Sequence, residues 1–183
     1  MRGCDKFCTV CIVPFTRGRE RSRSVEGIVQ EATQAVSDGF IEVTLLGQNV
    51  NSYHHEGQKF HELLDAVAQI PGLKRIRYTS PHPEDMTQDV LNVMAKYDNI
   101  CNYVHLPLQA GNDEVLNRMN RTYTKDQFLS RVKQIRNTLP NVGISTDIIV
   151  GFPGENELEF QETMDVMEVV KFDSAFTFKY SSR

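Results

Sequence analysis

Short β-branched segments alternate with longer amphipathic segments along most of the chain, and this alternation is the feature that most constrains its fold. The predicted strands are 41–46, 73–79, 103–106, 143–150 and 174–180, and the predicted helices are 22–38, 63–70, 90–94, 113–119, 124–138 and 155–169. Strands that alternate with helices in this way indicate βα units and a parallel sheet. Right-handed crossovers bring the carboxyl ends of the strands to one edge, where ligands of such sheets bind. The sequence therefore predicts an α/β fold with a ligand site at that edge.

Polar side chains lie at or just past the ends of four consecutive predicted strands. Gln48 and Asn49 follow the first strand, Ser80 follows the second, Gln109 follows the third, and Asp147 lies within the fourth. Turn and capping hydrogen bonds explain single residues of this kind. Their recurrence at four strands favours a shared binding edge.

Three cysteines near the start of the chain are spaced as Cys4-x3-Cys8-x2-Cys11. Three thiolates on one short loop can hold a [4Fe–4S] cluster and leave its fourth iron without a protein ligand, which makes that iron a reactive site. A three-cysteine zinc site and unligated thiols remain as alternatives, although no fourth ligand follows at the spacing typical of zinc sites. Cys101 stands alone, so the cysteines do not form the disulfide framework of a small secreted protein.

The composition indicates a single globular unit. A chain of 183 residues with 40% hydrophobic content can bury one core. Because no signal peptide or long apolar run is visible, we expect a cytoplasmic protein with no membrane partner. The net charge of −4 argues against a surface that binds nucleic acid all over. However, Arg17, Arg19, Arg21 and Arg23 form a local basic run, which is either a phosphate-binding patch or a solvated segment before a helix.

Longer segments together resemble the motifs of the radical S-adenosylmethionine (SAM) methylthiotransferases. The segments are MRGCDKFCTVCIVPFTRGRERSR, LLGQNVNSY, TSPHPEDM, HLPLQAGNDEVLNRMNRTYT and STDIIVGFPGE, in the order of the family and over nearly the whole chain. The segments PFTRGRERSR and GQNVNSY are most similar to those of the branch that converts N6-isopentenyladenosine in tRNA to its 2-methylthio derivative.

The resemblance implies a partial (β/α)6 TIM-like radical SAM barrel, in which the five predicted strands are the second to the sixth and the first strand is truncated. Residues 1–183 are then expected to be the radical SAM core alone. The family's N-terminal domain for a second cluster and its C-terminal RNA-binding domain are expected to be absent, and such a core is expected not to transfer sulfur. The sequence indicates no oligomeric state.

The resemblance also implies cofactors, partners and ligand residues. Cys4, Cys8 and Cys11 would ligate a [4Fe–4S] cluster whose open iron binds SAM, with tRNA as substrate and a protein as electron donor. Gln48 and Asn49 are expected at the methionine amino end of SAM, and Ser80, Gln109 and Asp147 at its ribose and carboxylate. For each of these residues alone, turn or capping hydrogen bonding is the alternative. Val10 occupies a position that is usually aromatic in the superfamily, so we expect weaker packing against SAM there.

Other hypotheses remain open on the sequence. The same chemistry could act on threonylcarbamoyl-adenosine in tRNA or on an aspartate of a ribosomal protein. A non-catalytic iron–sulfur or zinc-binding module is the hypothesis from another class.

Two further features have weaker functional interpretations. The segment GFPGE at 151–155 is not a phosphate-binding loop, because the lysine that such a loop requires is missing. Its glycines are instead expected to allow a tight turn beside the SAM adenine. Glu155 is expected to complement the dipole of the following helix. His54, His55 and His61 are expected on a solvated loop and an exposed helix face, whereas His82 and His105 are expected nearer the binding edge.

Overall fold

The computed structural model describes residues 1–182, in which helices and strands alternate as predicted. The helices are α1 (Val13–Arg17), α2 (Val25–Ser37), α3 (Phe60–Ala68), α4 (Gln88–Lys96), α5 (Asp113–Arg118), α6 (Lys125–Thr138) and α7 (Glu157–Val170). The strands are β1 (Glu42–Leu45), β2 (His54–His55), β3 (Gln58–Lys59), β4 (Arg75–Tyr78), β5 (Tyr103–His105), β6 (Gly143–Val150) and β7 (Ser174–Lys179). Single turns of 3-10 helix cover Val50–Ser52 and Pro83–Asp85.

Five of these strands pair in parallel and follow one another in chain order. β1 pairs with β4, where Val43 lies opposite Ile76, and β6 pairs with β5 on one side and β7 on the other. A parallel bridge from Ile76 to Ile100, just before β5, joins the two groups of strands. The predicted α/β fold with parallel strands is therefore confirmed, and the predicted strands differ from the observed ones by at most two residues at either end.

The longer helices form a layer outside the strands. α2 packs on α3, α3 on α4, α4 on α6, and α6 on α7. Between the two layers lie side chains without solvent exposure, including Leu64, Ile76, Ile135 and Ile144. No helix within residues 1–182 is long and apolar enough to cross a membrane. The helix layer does not cover the carboxyl ends of the strands, which lie next to the cysteine loop.

A break in the β5–β6 pairing places Gln109 at this edge. Pro107 has no N–H to donate, and the buried hydroxyl of Thr146 replaces the missing ladder contacts. It accepts a hydrogen bond from the Leu108 N–H at 2.9 Å and donates one to the Leu106 carbonyl at 2.8 Å. Pairing resumes at Gln109, whose N–H donates to the backbone of β6 at 2.8 Å.

The histidines at 54 and 55 correct one sequence prediction. They form β2, which pairs with β3 in an antiparallel hairpin, instead of a loop. His54 is exposed and His55 is half-buried, while His61 is half-buried on α3. A hairpin with two residues per strand has no apolar alternation, so the sequence carries no periodic signal for it.

Glu155 lies in the GFPGE turn, directly before the N-terminus of α7. It precedes Asn156, which caps α7 by accepting hydrogen bonds from the Leu158 and Glu159 N–H groups. The Glu155 carboxylate instead accepts hydrogen bonds from the Gly151 and Phe152 N–H groups, the latter at 3.1 Å. Glu155 therefore closes the GFPGE turn on itself next to the capping residue Asn156, and its effect on the helix dipole stays a prediction.

Candidate functional site

One cavity of about 320 Å³ lies at the carboxyl ends of the strands, beneath the cysteine loop. Every cysteine and polar residue that the sequence predicts as a ligand lines it: Cys4, Cys8, Cys11, Gln48, Asn49, Ser80, Gln109 and Asp147. Val10, His82 and His105 also line it. The GFPGE turn and Cys101 do not line this cavity. The fold therefore brings together residues that are far apart in sequence.

Close backbone packing holds the first half of the cysteine loop against the strands. The Gly3 N–H donates to Oε1 of Gln48 at 2.8 Å, and the Cys4 N–H donates to the Gly18 carbonyl at 3.2 Å. Gly3 has φ of +81°, and a Cβ at this position would lie 2.1 Å from the carbonyl oxygen of Arg19. Only glycine fits here.

Contacts with the segment after α5 and with the 83–85 turn fix the second half of the loop. The Thr9 N–H donates to the Met119 carbonyl at 3.0 Å, and the Asn120 side chain donates to the Phe7 carbonyl at 2.9 Å. Lys6 pairs with Glu84 at 2.6 Å. The thiols are thus held by a loop that is anchored at both ends.

The three thiols are not grouped tightly enough to hold a single zinc ion as they stand. Cys4, Cys8 and Cys11 are free thiols, with no disulfide between them. In a tetrahedral zinc site with Zn–S distances of about 2.3 Å, the sulfur atoms lie about 3.8 Å apart. Among residues 1–182, the one group of possible ligand atoms that all lie within 4.8 Å of one another does not include these cysteines. Burial raises the pKa of the Cys4 thiol, so metal binding there must displace a proton.

Two predicted amides present unpartnered acceptors. The Asn49 side chain donates from Nδ2 to Asp85 at 2.9 Å, while its buried Oδ1 has no partner in the described chain. Oε1 of Gln109 is likewise buried and has no partner there. Buried polar atoms of this kind are rare in native proteins unless a ligand or water satisfies them.

Gln48 and Ser80, two further predicted ligand residues, differ in which polar groups remain available to a ligand. Gln48 uses Oε1 to hold Gly3, so its amide nitrogen is the group left for a ligand. Ser80 is exposed, and both Ser80 and Gln109 have left-handed backbones with φ of +57° and +70°. Non-glycine residues in this region carry strain of the kind that clusters at binding sites.

A hydrogen-bonded chain runs through Asp147 at the cavity wall. Nε2 of His105 lies 3.1 Å from Oδ2 of Asp147, and Nδ1 of His105 lies 2.8 Å from the Ser145 hydroxyl. The Tyr103 hydroxyl donates to that same Ser145 oxygen. Because a carboxylate only accepts, His105 donates from Nε2 and the network fixes the orientation of Asp147.

His82 is a neutral donor in the cavity wall. Burial, reinforced by the positive charges of Arg121 and Lys6, lowers the pKa of His82 to about 3. Nδ1 of His82 accepts a hydrogen bond from the Glu84 N–H at 3.3 Å, which assigns the proton to Nε2. That buried Nε2 has no partner within residues 1–182.

Sequence reasoning missed Arg121 and Lys6, which also line the cavity. Arg121 donates from Nη1 to the sulfur of Cys8 at 3.1 Å, although the two residues are 113 positions apart. The sequence signal for Arg121 is its place in the segment RMNRTYT, which belongs to the motif HLPLQAGNDEVLNRMNRTYT.

Together the cavity groups suit a ligand with both an ammonium and a carboxylate. Asn49, Gln109 and Asp147 offer acceptors, whereas His82 and Arg121 offer donors.

The sequence profile of the Radical SAM superfamily matches residues 1–167. The chain belongs to the radical SAM superfamily. Membership implies a [4Fe–4S] cluster and SAM as cofactors, and the free thiols and unpartnered polar atoms of this cavity fit both.

Similar proteins agree with this membership. A tRNA-2-methylthio-N(6)-dimethylallyladenosine synthase of Lachnoclostridium phytofermentans is 53% identical over the whole chain, which covers 41% of that relative. The cobalamin-dependent S-adenosylmethionine radical enzyme OxsB has a TM-score of 0.71 at 14% identity, over 91% of this chain and 25% of that one. Coproporphyrinogen III oxidase of Escherichia coli, a radical SAM enzyme, has a TM-score of 0.66 at 14% identity, over 99% of this chain and 43% of that one.

The two structural likenesses concern the fold alone, and they confirm the predicted partial TIM-like radical SAM barrel. The chain spans about two fifths of the length of the curated relatives that it matches.

Proposed function

We propose that residues 1–183 are the radical SAM core of a tRNA methylthiotransferase that adds a methylthio group to C2 of N6-isopentenyladenosine. The observation that carries the radical chemistry is the single cavity that holds three free thiols beside unpartnered acceptors and donors. The choice of substrate is supported by the 53% identity to a relative named for this product.

In this proposal Cys4, Cys8 and Cys11 hold the cluster. When bound, the cluster supplies the electron that cleaves SAM into methionine and a 5′-deoxyadenosyl radical, as in the superfamily at large. The cysteine loop contributes by being fixed at both ends, so that all three thiols line the same cavity, with Cys8 buried and Cys4 and Cys11 half-buried.

The cavity wall orients SAM. The free Oδ1 of Asn49 and Oε1 of Gln109 accept from its ammonium or hydroxyl groups, and the amide nitrogen of Gln48 donates to its carboxylate. Asp147, held by His105, accepts from the ribose, while Ser80 contributes a hydroxyl at the rim.

The tRNA phosphates bind outside the cavity, at the basic run of residues 17–23. Arg17 and Arg21 are exposed and have no ion pair within residues 1–182, whereas Arg19 pairs with Asp5 and Arg23 pairs with Glu31. The target adenosine must leave its stack for C2 to reach the cavity. A low-potential protein supplies the electron.

A deuterium-transfer assay tests the proposal. The chain is reconstituted anaerobically with iron and sulfide, then reduced in the presence of SAM and an RNA stem-loop whose N6-isopentenyladenosine carries deuterium at C2. We expect deuterium in the 5′-deoxyadenosine product, and none with the Cys8→Ala variant or with unmodified adenosine at the same position.

The result also distinguishes the other hypotheses. Hydrogen transfer from threonylcarbamoyl-adenosine RNA or from an aspartate peptide, but not from the isopentenyl RNA, would show the same chemistry on a different acceptor. Metal binding without any 5′-deoxyadenosine would show a binding module and contradict the proposal.

A further inference from the structure

Arg121 carries a positive charge at the cavity wall that no carboxylate neutralises. It is partly buried, and the ion pairs found within residues 1–182 do not include it. Arginine side chains stay protonated at any pH at which proteins are folded. A fixed, unneutralised charge beside a cavity indicates that an anion belongs there.

Packing against Tyr123 fixes the guanidinium. Nε of Arg121 donates to the Tyr123 hydroxyl at 3.1 Å, and the guanidinium lies 5.3 Å from the centroid of the Tyr123 ring. The Tyr123 hydroxyl in turn donates to the Pro107 or Leu108 carbonyl, each at 2.9 Å. The planar group is thus anchored by a cation–π contact and a hydrogen bond, which limit its motion.

Another donor of this fixed group is directed at a predicted cluster ligand. Nη1 lies 3.1 Å from the sulfur of Cys8, and Cys8 is the most buried of the three cysteines in the loop. Hydrogen bonds and charge at the ligating sulfurs are among the properties that set the reduction potential of an iron–sulfur cluster.

We propose that Arg121 is a positioning residue that raises the reduction potential of the cluster through its charged hydrogen bond to Cys8. The inference rests on the cluster assignment of the proposed function. Reduction adds one electron from an external low-potential donor to the oxidised cluster, with no proton transferred, so the cluster becomes more negative by one charge. A positive charge about 4 Å or less from a ligand sulfur stabilises that reduced form more than the oxidised form.

Potentiometric titration monitored by electron paramagnetic resonance tests this role. The wild type, Arg121→Gln and Arg121→Met are reconstituted, and iron content is measured alongside the midpoint potential. We expect both variants to keep about four irons and to be reduced at least about tenfold less favourably, which corresponds to about 59 mV for one electron. Arg131→Met is the matched control, because Arg131 is also partly buried without an ion pair in the described chain but lines a different cavity. Its potential is expected to equal that of the wild type.

Each other outcome is decisive. An unchanged potential in variants that carry the full cluster would overturn the inference. Loss of the folded far-UV circular dichroism signal in both variants, or a fold retained without iron, would assign Arg121 to folding or cluster retention and would also overturn it. A wild-type chain that binds no cluster would contradict the proposed function itself.

Discussion

The hydroxyl of Thr146 is predicted to contribute several times more to the free energy of unfolding than the hydroxyl of an exposed strand threonine does. Thr146 has no solvent exposure, and its Oγ1 is the partner of both the Leu108 N–H and the Leu106 carbonyl. Replacement by valine keeps the shape of the side chain but leaves both buried backbone groups without a partner. Each unsatisfied buried group costs about 1–3 kcal/mol, and the added methyl recovers part of that cost. We therefore expect Thr146→Val to lower the free energy of unfolding by about 2–4 kcal/mol.

Urea denaturation at neutral pH measures this loss, and thermal unfolding gives a second measurement. For a chain of this size, each kcal/mol corresponds to about 2–4 °C, so the melting temperature is expected to fall by roughly 5–15 °C. Thr146→Ser keeps the hydroxyl and loses one methyl group, which costs about 1 kcal/mol. Thr177→Val on the neighbouring β7 replaces an exposed threonine, and its effect is expected within about 0.5 kcal/mol of zero.

The order of stability of the three variants is decisive. If Thr146→Val destabilises the chain no more than Thr146→Ser does, the hydroxyl does not satisfy the interrupted pairing, and the explanation of how Gln109 reaches the cavity is wrong.

Three more predictions concern the loop, the basic run and a buried histidine. Gly3→Ala should cost about 1–3 kcal/mol and lower the iron bound per chain, because its Cβ would collide with a backbone carbonyl. Neutralising Arg17 and Arg21 to alanine should reduce the slope of log K against log salt for RNA binding by up to about 2, as measured by fluorescence anisotropy. The folded-state pKa of His82, about 3, lies below its usual 6.5, so stability is retained above pH 6.5 and falls as the pH drops from there toward 3. From pH 7 to pH 5 this loss is about 2 kcal/mol, and His82→Gln should remove it in urea titrations at the two pH values.

Each of these predictions has a control within the chain. Gly57 also has a positive φ, but a Cβ at this position would have no neighbour within 4 Å, so Gly57→Ala should leave iron binding unchanged. Neutralising the exposed Lys74 and Lys133 removes two charges elsewhere and should leave the salt slope as it is. His54→Gln at an exposed site should keep the acid sensitivity of the wild type. Equal effects in a variant and its control would contradict the corresponding explanation.

Most of the strands and helices could be predicted from the sequence, because the patterns that indicate them are local. The strand at 143–150 is rich in β-branched residues and is followed by a glycine turn, and the observed β6 has the same bounds. The convergence of the candidate residues on one cavity could also be predicted in part, because parallel strands place residues such as Asn49 and Gln109 at one edge whatever the details of packing.

What the sequence could not predict depends on contacts between distant segments. The burial of His82 arises from its hydrogen bond to Asn51 and its packing on Tyr123, neither of which leaves a periodic signal. The contact of Arg121 with Cys8 requires the segment after α5 to fold back over the loop. Gln48 shows the same limit, since its acceptor holds Gly3 instead of being free for a ligand.

Cluster binding by Cys4, Cys8 and Cys11, together with the cleavage of SAM that it should support, can be measured in a single experiment. After anaerobic reconstitution, iron and sulfide are counted, and 5′-deoxyadenosine is quantified after addition of reductant and SAM. We expect about four irons per chain and product formation, both lost in Cys8→Ala and both retained in Cys101→Ala, since Cys101 lies outside the cavity. Bound zinc, or four irons without any 5′-deoxyadenosine, would contradict the assignment of these cysteines to a radical SAM cluster.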